Sequence, residues 1–190
     1  MSIEIELYAE RRMGDRWVLA ESTVPNPWLH SQYRDLIDVD EAASLPTEVP
    51  QEVVDFGHSG IWSVLWGNSR RPYRHVPIIP PRGLPDDLSP DIANAAPRHV
   101  ALFANGTGWY LLQELLDHDW SQVEQYRRYT RVRFLFGRRH WSWPTPWPWR
   151  RWEEEETHAQ MVGQAFLDSL ERLRGIDSPD RIRLVFYVGD

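Results

Sequence analysis

The alternation of apolar and polar residues predicts strands at both ends of the chain. Ser2 to Glu10 places one set of alternate residues (Ile3, Ile5, Leu7, Ala9) inward and the other (Glu4, Glu6, Tyr8, Glu10) outward, which predicts a half-buried strand with a solvent-facing acidic stripe. Arg16 to Glu21 can return as a second strand after a Gly14-Asp15 turn. Arg181 to Val188 is apolar at both alternating sets of positions, so it is predicted to be a central strand.

Apolar residues at helical spacing predict the helices. The clearest set lies on one face of a C-terminal helix that ends at Gly175, and comprises Met161, Val162, Ala165, Phe166, Ser169, Leu170 and Leu173. Glu153 to Glu156 lie at or just before its first turn, where negative charge suits the helix dipole. Trp109 to Asp119 and the stripe from Val53 to Trp66 predict two further helices.

The segments between these elements give weaker signals. Ser89-Pro90-Asp91 has the residue types of a helix N-cap with proline at the first helical position. Tyr129 to Phe136 alternates and predicts another strand. From Val24 to Pro50 repeated prolines predict loops and short helices.

These elements predict an α+β fold in a single domain, residues 1–190. We expect a mixed or antiparallel sheet with an N-terminal hairpin, a central C-terminal strand and helices covering one face. The length of 190 residues fits one compact domain. A Trp/Pro/Arg-rich insertion is expected at about residues 138–152.

Composition narrows the chemistry and the location. The chain has no cysteine, which excludes disulfides, a thiol nucleophile and cysteine-based zinc sites. It begins with alternating apolar and acidic residues rather than a secretory signal, and its apolar runs are too short to span a membrane. We therefore expect a cytoplasmic protein.

The most unusual stretch, which we call the Trp/Arg segment, covers residues 138–152. Although the net charge is -7, Tyr126 to Trp152 holds 8 arginines and no acidic residue. Aromatic and arginine enrichment is typical of protein interfaces. The candidate interaction surface consists of Arg139, Trp141, Trp143, Trp147, Trp149, Arg150, Arg151 and Trp152.

Two other interpretations of the Trp/Arg segment stay open. Its tryptophans can stack on arginines and cover the domain's own sheet or a neighbouring subunit, which is favoured over the second interpretation. In that second interpretation its guanidinium and indole groups hold single-stranded nucleic acid by charge and stacking. A membrane anchor is disfavoured because alternating prolines prevent an amphipathic helix.

A second candidate site lies in the proline-rich loop around Arg82, Asp86 and Asp87. Loops held by proline often carry function, but an arginine–carboxylate bridge that fastens the loop is at least as well supported. A hydrolase-like pocket formed by His75, Asp86 and Asp87 is the enzymatic alternative.

No other set of residues has the spacing of a known metal-binding, phosphate-binding or catalytic motif. The seven histidines include no pair at the i, i+2 or i, i+4 spacing that places two ligands together, so no metal is expected. No glycine-rich loop follows a predicted strand and opens a helix, and no nucleophile elbow surrounds Ser59. We expect no cofactor, and we consider an enzyme less well supported than a binding protein.

Four pieces of the chain resemble, in order, an uncharacterised family of small proteins in bacteria and their phages. They are Ser2-Ile3-Glu4-Ile5, the segment from Pro81-Arg82-Gly83-Leu84-Pro85 to Ser89, the stretch from Trp109 to Trp120, and the ending from Arg181 to Tyr187. The resemblance implies a shared fold and a phage or mobile-element setting, with no established activity. Histidines that precede the tryptophan in relatives are replaced here by Asn105-Gly106-Thr107-Gly108, so a site there does not carry over.

The sequence thus favours an intracellular, non-enzymatic interaction protein from a phage, prophage or defence-related locus. Its partner is expected to be another protein or a second copy of the chain. The hydrolase and the single-stranded nucleic-acid binder are the two alternatives.

Overall fold

A computed structural model describes residues 4–25, 46–53, 61, 64, 65, 67, 77–80, 82–95, 104–130 and 150–189. The strands are β1 (Glu4–Met13), β2 (Arg16–Leu19), β3 (Thr23–Pro25), β4 (Glu48–Pro50), β5 (Ala104–Leu111), β6 (Val123–Thr130), β7 (Arg150–Thr157) and β8 (Ile182–Gly189). The helices are α1 (Pro90–Ala95), α2 (Leu112–Leu116), α3 (His158–Val162) and α4 (Gln164–Arg174), with a 3-10 turn at Pro179–Arg181. The fold is α+β, as the sequence predicts, and every described strand pairing is antiparallel.

The largest described sheet has four strands in the order β2-β1-β8-β5. β8 pairs with β1 on one side and β5 on the other, which confirms the central strand predicted from its apolar residues on both faces. The N-terminal hairpin is also confirmed: β1 and β2 pair from Glu10↔Leu19 to Met13↔Arg16, and the turn between them has Gly14 at a positive φ of 63°.

One face of this sheet carries the main hydrophobic core. Leu7 and Ala9 of β1, Tyr110 of β5 and Leu184 and Phe186 of β8 pack against buried residues of α2, α3 and α4. The core also contains Ile61 and Leu65 of the predicted stripe from Val53 to Trp66, together with Val64, which was not part of that stripe. The Tyr110 hydroxyl donates to the backbone carbonyl of Leu65 and, at 3.2 Å, to that of Ile79, so it holds both segments against the sheet.

The opposite face of the sheet is covered as well, and the predicted solvent-facing acidic stripe is therefore wrong at Tyr8 and Glu10. Tyr8 and Glu10 are 4% and 0% exposed. Tyr8 packs with Val185 and Tyr187 of β8 and with Ile92 of α1, and Leu88 lies against this second cluster. The segment from 82 to 95 supplies the cover, which a pattern read from β1 alone does not reveal.

The C-terminal helix is interrupted, which the apolar stripe did not predict. Gly163 has a φ of 79° and separates α3 from α4. Phe166, Leu170 and Leu173 are buried as expected, but Ala165 is exposed. Glu153 to Glu156 belong to β7 rather than to the first helical turn, because the Thr157 and Gln160 capping box starts the helix at His158.

Two other predicted elements have different bounds. The helix predicted from Trp109 begins at Leu112, because residues 109–111 extend β5 beside β8. In the stretch predicted as loops and short helices, β3 and β4 form a short ladder in which Pro25 and Pro50 occupy strand ends. Only residues 129 and 130 of the strand predicted from Tyr129 to Phe136 are described, as the end of β6.

The start of α1 confirms the predicted cap. Ser89 is buried, its Oγ accepts from the backbone N–H of Ile92 at 3.4 Å, and Pro90 occupies the first helical position. In the described ranges, no helix has the length and apolar character needed to cross a membrane.

Candidate functional site

Arg183 is a buried arginine in the middle of the second sheet face. It lies in β8 directly opposite Glu10 of β1, and the two side chains are 3% and 0% exposed. Arg183 Nε donates to Glu10 Oε2 at 2.6 Å, and Glu10 Oε1 accepts from the backbone N–H of Ser89 at 2.7 Å. Since a buried charge is tolerated only when it is paired and hydrogen-bonded, Arg183 and Glu10 require each other.

Asp87 provides the second carboxylate for the same arginine. Arg183 Nη1 donates to Asp87 Oδ1 at 2.6 Å and Nη2 donates to its backbone carbonyl at 3.1 Å. Trp17 Nε1 donates to the other carboxylate oxygen at 2.9 Å. The hydrogen bond from Arg183 holds the pKa of Asp87 below its ordinary value. Asp87 is therefore a fixed, ionised anchor at the edge of the buried cluster.

Indole rings and guanidinium groups alternate around this arginine. The Arg183 guanidinium lies 4.2 Å from the ring centroid of Trp17 and 5.8 Å from that of Trp109, and Arg82 lies 4.6 Å over the Trp109 ring. Arg82 also forms a two-pronged ion pair with Glu114 of α2, with N···O distances of 2.5 and 3.0 Å. Cation–π contacts and ion pairs thus attach both ends of segment 82–87 to the sheet.

The proline-rich loop contains the fastening bridges that the sequence suggested, but with other partners. Arg82 pairs with Glu114 and Asp87 with Arg183, while Asp86 is an exposed turn residue between them. His75 lies outside the described residues. A binding or hydrolytic role for this loop stays a prediction, and the described contacts of Arg82 and Asp87 fix the loop.

Two histidines meet although 40 residues separate them in the chain. His118 Nε2 and His158 Nδ1 are 2.8 Å apart. The ring centroids are 5.1 Å apart, which is about the longest separation that such an N···N contact permits, so each nitrogen lies near the line between the centroids. The rings therefore meet end to end rather than face to face. A proton on either of these two nitrogens points at the lone pair of the other.

Folding shifts both histidines of this pair toward the neutral form. Burial lowers the pKa of both rings, and the positive charge of His158 lowers the pKa of His118 further, whereas Asp119 opposes the shift in both. Asp119 Oδ1 accepts from the backbone N–H and hydroxyl of Ser121. Because the two ring nitrogens point at each other and not at a third point, the geometry suits a hydrogen bond better than a metal. Among the described residues no group of three metal-ligating side chains occurs.

The histidine pair connects the segment that follows α2 to the start of α3. His118 follows α2, and His158 is the first residue of α3 directly after β7. The backbone N–H groups of His158 and Ala159 donate to the carbonyls of Gln122 and Trp120 at 2.9 and 3.0 Å. These contacts attach the base of a two-stranded ribbon, β6 and β7, to the helical layer.

The ribbon leads to the Trp/Arg segment. β6 and β7 pair in register from Val123↔Thr157 to Thr130↔Arg150, and they form a sheet separate from the four-stranded one. The half of the ribbon nearest the histidines holds four glutamates and no arginine, whereas the far half holds four arginines and one glutamate. Arg150, Arg151 and Trp152 lie in β7. The other candidate residues, Arg139, Trp141, Trp143, Trp147 and Trp149, lie outside the described residues.

No protein-family model, curated protein or solved structure matches this chain. The resemblance to a bacterial and phage family therefore stays a prediction, and any function has to be argued from the residues and their geometry.

Sequence reasoning missed the Arg183 cluster and the histidine pair for the same reason. Each joins positions far apart in the chain: Glu10 and Arg183 are 173 residues apart, and Asp87 and Arg183 are 96 apart. One signal was present in the sequence, because Arg183 interrupts a strand that is otherwise apolar on both faces. A charge at such a position indicates a buried partner.

Proposed function

We propose that this chain is a non-enzymatic binding protein that presents the Trp/Arg segment to a protein partner from the end of the β6–β7 ribbon. The main support is the ribbon register. Residues 131–149 connect Thr130 to Arg150, the register pair farthest from the attached base. Eight residues per strand separate that pair from the base by roughly 25 Å, at about 3.3 Å per residue.

The chemistry of the segment suits a protein interface. Tryptophan and arginine contribute most of the binding energy in many interfaces because they combine a large contact area with directed hydrogen bonds. The far half of the ribbon continues this composition with Arg127, Arg128, Arg150 and Arg151. The proposal retains the cytoplasmic location and the phage, prophage or defence-related setting expected from the sequence.

A hydrolase built on His75, Asp86 and Asp87 is less well supported. Asp87 is occupied by hydrogen bonds from Arg183 and Trp17, and its pKa is lowered. A general base works best with a pKa near the working pH, and these contacts shift Asp87 in the opposite direction.

The test is the double substitution Trp147→Ser/Trp149→Ser in the full chain. We expect it to weaken self-association or the capture of a host protein by more than about tenfold, with little change in the melting temperature. A matched control, Met13→Ser/Leu84→Ser, removes two exposed apolar side chains elsewhere, which are 49% and 40% exposed, and should change neither readout.

Light scattering over a concentration series and affinity capture from a host lysate provide the two readouts. Unaltered association and capture in the tryptophan variant, while the melting temperature falls, would assign the segment to the domain's own core.

Single-stranded nucleic acid is the second candidate partner, and the arginines of the far half of the ribbon favour it. A mobility-shift titration with single-stranded oligonucleotides should then give binding that weakens steeply as salt rises. Absence of a shift at low salt excludes this candidate.

A further inference from the structure

We propose that the partner is a second copy of this chain, and that the two copies join by antiparallel pairing of their β7 strands. This inference rests on the proposed function and names its partner. It combines two observations: β7 belongs to a two-stranded sheet, and its charges complement those of an identical strand running the opposite way.

The first observation concerns the edge of the ribbon. Of the strands that the structure describes, only β6 pairs with β7. In a two-stranded sheet each strand has an outer edge along which another strand can add through backbone hydrogen bonds. A second copy brings the same edge, so a two-fold axis between two β7 strands produces a closed dimer.

The second observation is the charge pattern of β7. The strand reads Arg150-Arg151-Trp152-Glu153-Glu154-Glu155-Glu156-Thr157, positive at its start and negative at its end. The ribbon register places Glu124, Gln125 and Tyr126 of β6 opposite Glu156, Glu155 and Glu154. In this register β6 sets uncharged residues, Tyr129 and Thr130, opposite both arginines of β7.

Antiparallel self-pairing brings these charges together. With Glu153 on the two-fold axis, Arg150 lies opposite Glu156 and Arg151 lies opposite Glu155, and the symmetry repeats both pairs. The dimer then contains four opposite-charge pairs and one like-charge pair, which is Glu153 with its own copy. Directly opposite residues in an antiparallel ladder interact, and opposite charges there are favourable.

The same pattern disfavours parallel pairing of β7 and self-pairing of β6. Parallel pairing of two β7 strands sets arginine against arginine and glutamate against glutamate. β6 has one glutamate and two arginines, so pairing of two β6 strands offers fewer complementary pairs. Charge thus selects both the strand and the direction.

The competing interpretation is that the charges only protect the edge. Charged residues on an edge strand commonly prevent association by keeping the strand solvated. That interpretation predicts a monomer, and no association when variants with opposite charges on β7 are mixed. Reversing the charges of β7 therefore distinguishes the two interpretations.

The experiment uses two variants of the full chain. Arg150→Glu/Arg151→Glu makes β7 uniformly acidic, and Glu155→Arg/Glu156→Arg makes both of its ends basic. We expect the wild type to dimerise and each variant alone to dimerise at least about tenfold more weakly, because all four pairs become like-charged. An equimolar mixture should form the heterodimer with wild-type affinity, since every pair is again opposite.

Sedimentation equilibrium of each variant and of the mixture gives the dissociation constants, and recovery in the mixture shows that both variants are folded. Any of three results would overturn the inference: the wild type is monomeric, either variant alone dimerises as tightly as the wild type, or the mixture fails to associate. The proposed function is judged separately: a monomeric wild type that still captures a host protein through Trp147 and Trp149 keeps it, whereas insensitivity to those tryptophans removes it.

Discussion

Removal of the Arg183 guanidinium would leave Glu10 as a buried carboxylate without its counter-charge. Glu10 is 0% exposed, so water does not solvate its carboxylate in the folded chain. We therefore expect Arg183→Met to lower the free energy of unfolding by about 3–5 kcal/mol, measured by urea denaturation.

The compensating variant provides the control for this prediction. Glu10→Leu/Arg183→Met removes both charges, and we expect it to recover part of the loss because an apolar pair needs no desolvation of ions. Asp87 stays solvated at 65% side-chain exposure. A double variant as unstable as Arg183→Met alone would show that Arg183 acts by packing between the indoles and not by neutralising Glu10.

The histidine pair predicts a pH dependence of stability with a definite sign. Folding lowers the pKa of His118 and His158 from the ordinary value of 6.5. Between the lowered values and 6.5, the unfolded chain binds more protons than the folded one, so stability rises with pH there. The contribution of the two neutral histidines to the free energy of unfolding is complete above about pH 6.5, and it is lost as the pH falls through the folded pKa values.

Urea denaturation at about pH 7.5 and about pH 5 checks this sign. We expect the wild-type midpoint to fall on acidification, and to fall less in His118→Gln, which removes one of the two titrating rings. His118→Gln retains an amide that can contact His158, so the stability at the higher pH should change little. Equal pH dependence in both proteins would contradict the assignment.

At the scale of elements, the contact between β5 and β8 depends on one glycine. A Cβ at Gly108 would lie 2.8 Å from Cε1 of Phe186 and closer still to its Cζ. Phe186 is 2% exposed and stacks on Tyr110 with ring centroids 5.8 Å apart, so it cannot retreat into solvent. We expect Gly108→Ala to lower the free energy of unfolding by about 1–3 kcal/mol.

A double-mutant cycle tests whether the ring is the cause. Phe186→Ala alone should lower the free energy of unfolding by about 3–5 kcal/mol because it opens a cavity in the main core. When Gly108→Ala is added to Phe186→Ala, it should lower the free energy of unfolding hardly any further, since the clash with the ring has been removed. A full additional loss would point instead to distortion of the β5 backbone.

The elements that the sequence predicts best are those whose pattern is local. The β1–β2 hairpin follows from alternation and a glycine turn, and the α1 cap follows from Ser89 and Pro90. The break at Gly163 was missed because the apolar stripe continues across it, from Val162 to Phe166. Glycine can continue a helix, and only its positive φ shows that this one does not.

Candidate chemistry was harder to predict because it depends on partners brought together by the sheet. Burial of Glu10 requires Arg183 in the neighbouring strand and the loop above it. The Trp/Arg segment was recognisable from composition, but its attachment to a ribbon was not, because four consecutive glutamates are typical of a first helical turn as well as of a solvated strand.

For the whole molecule, the topology separates the four-stranded sheet from the ribbon that leads to the Trp/Arg segment. Val123 and Thr157 are register partners, so the chain can be closed at the ribbon base by a short turn. The contacts of residues 120 and 122 with 158 and 159, and the core around Phe166 and Phe186, lie outside the removed part.

We therefore expect that replacing residues 124–156 by Asn-Gly leaves a protein that unfolds cooperatively, with a melting temperature within about 5 °C of the wild type. The same protein should lose self-association and partner capture, because both reside in the ribbon and the Trp/Arg segment. Calorimetry and sedimentation measure the two properties on one sample. A shortened chain that fails to fold would show that residues 124–156 are needed to complete the core, and would contradict a ribbon that serves only for binding.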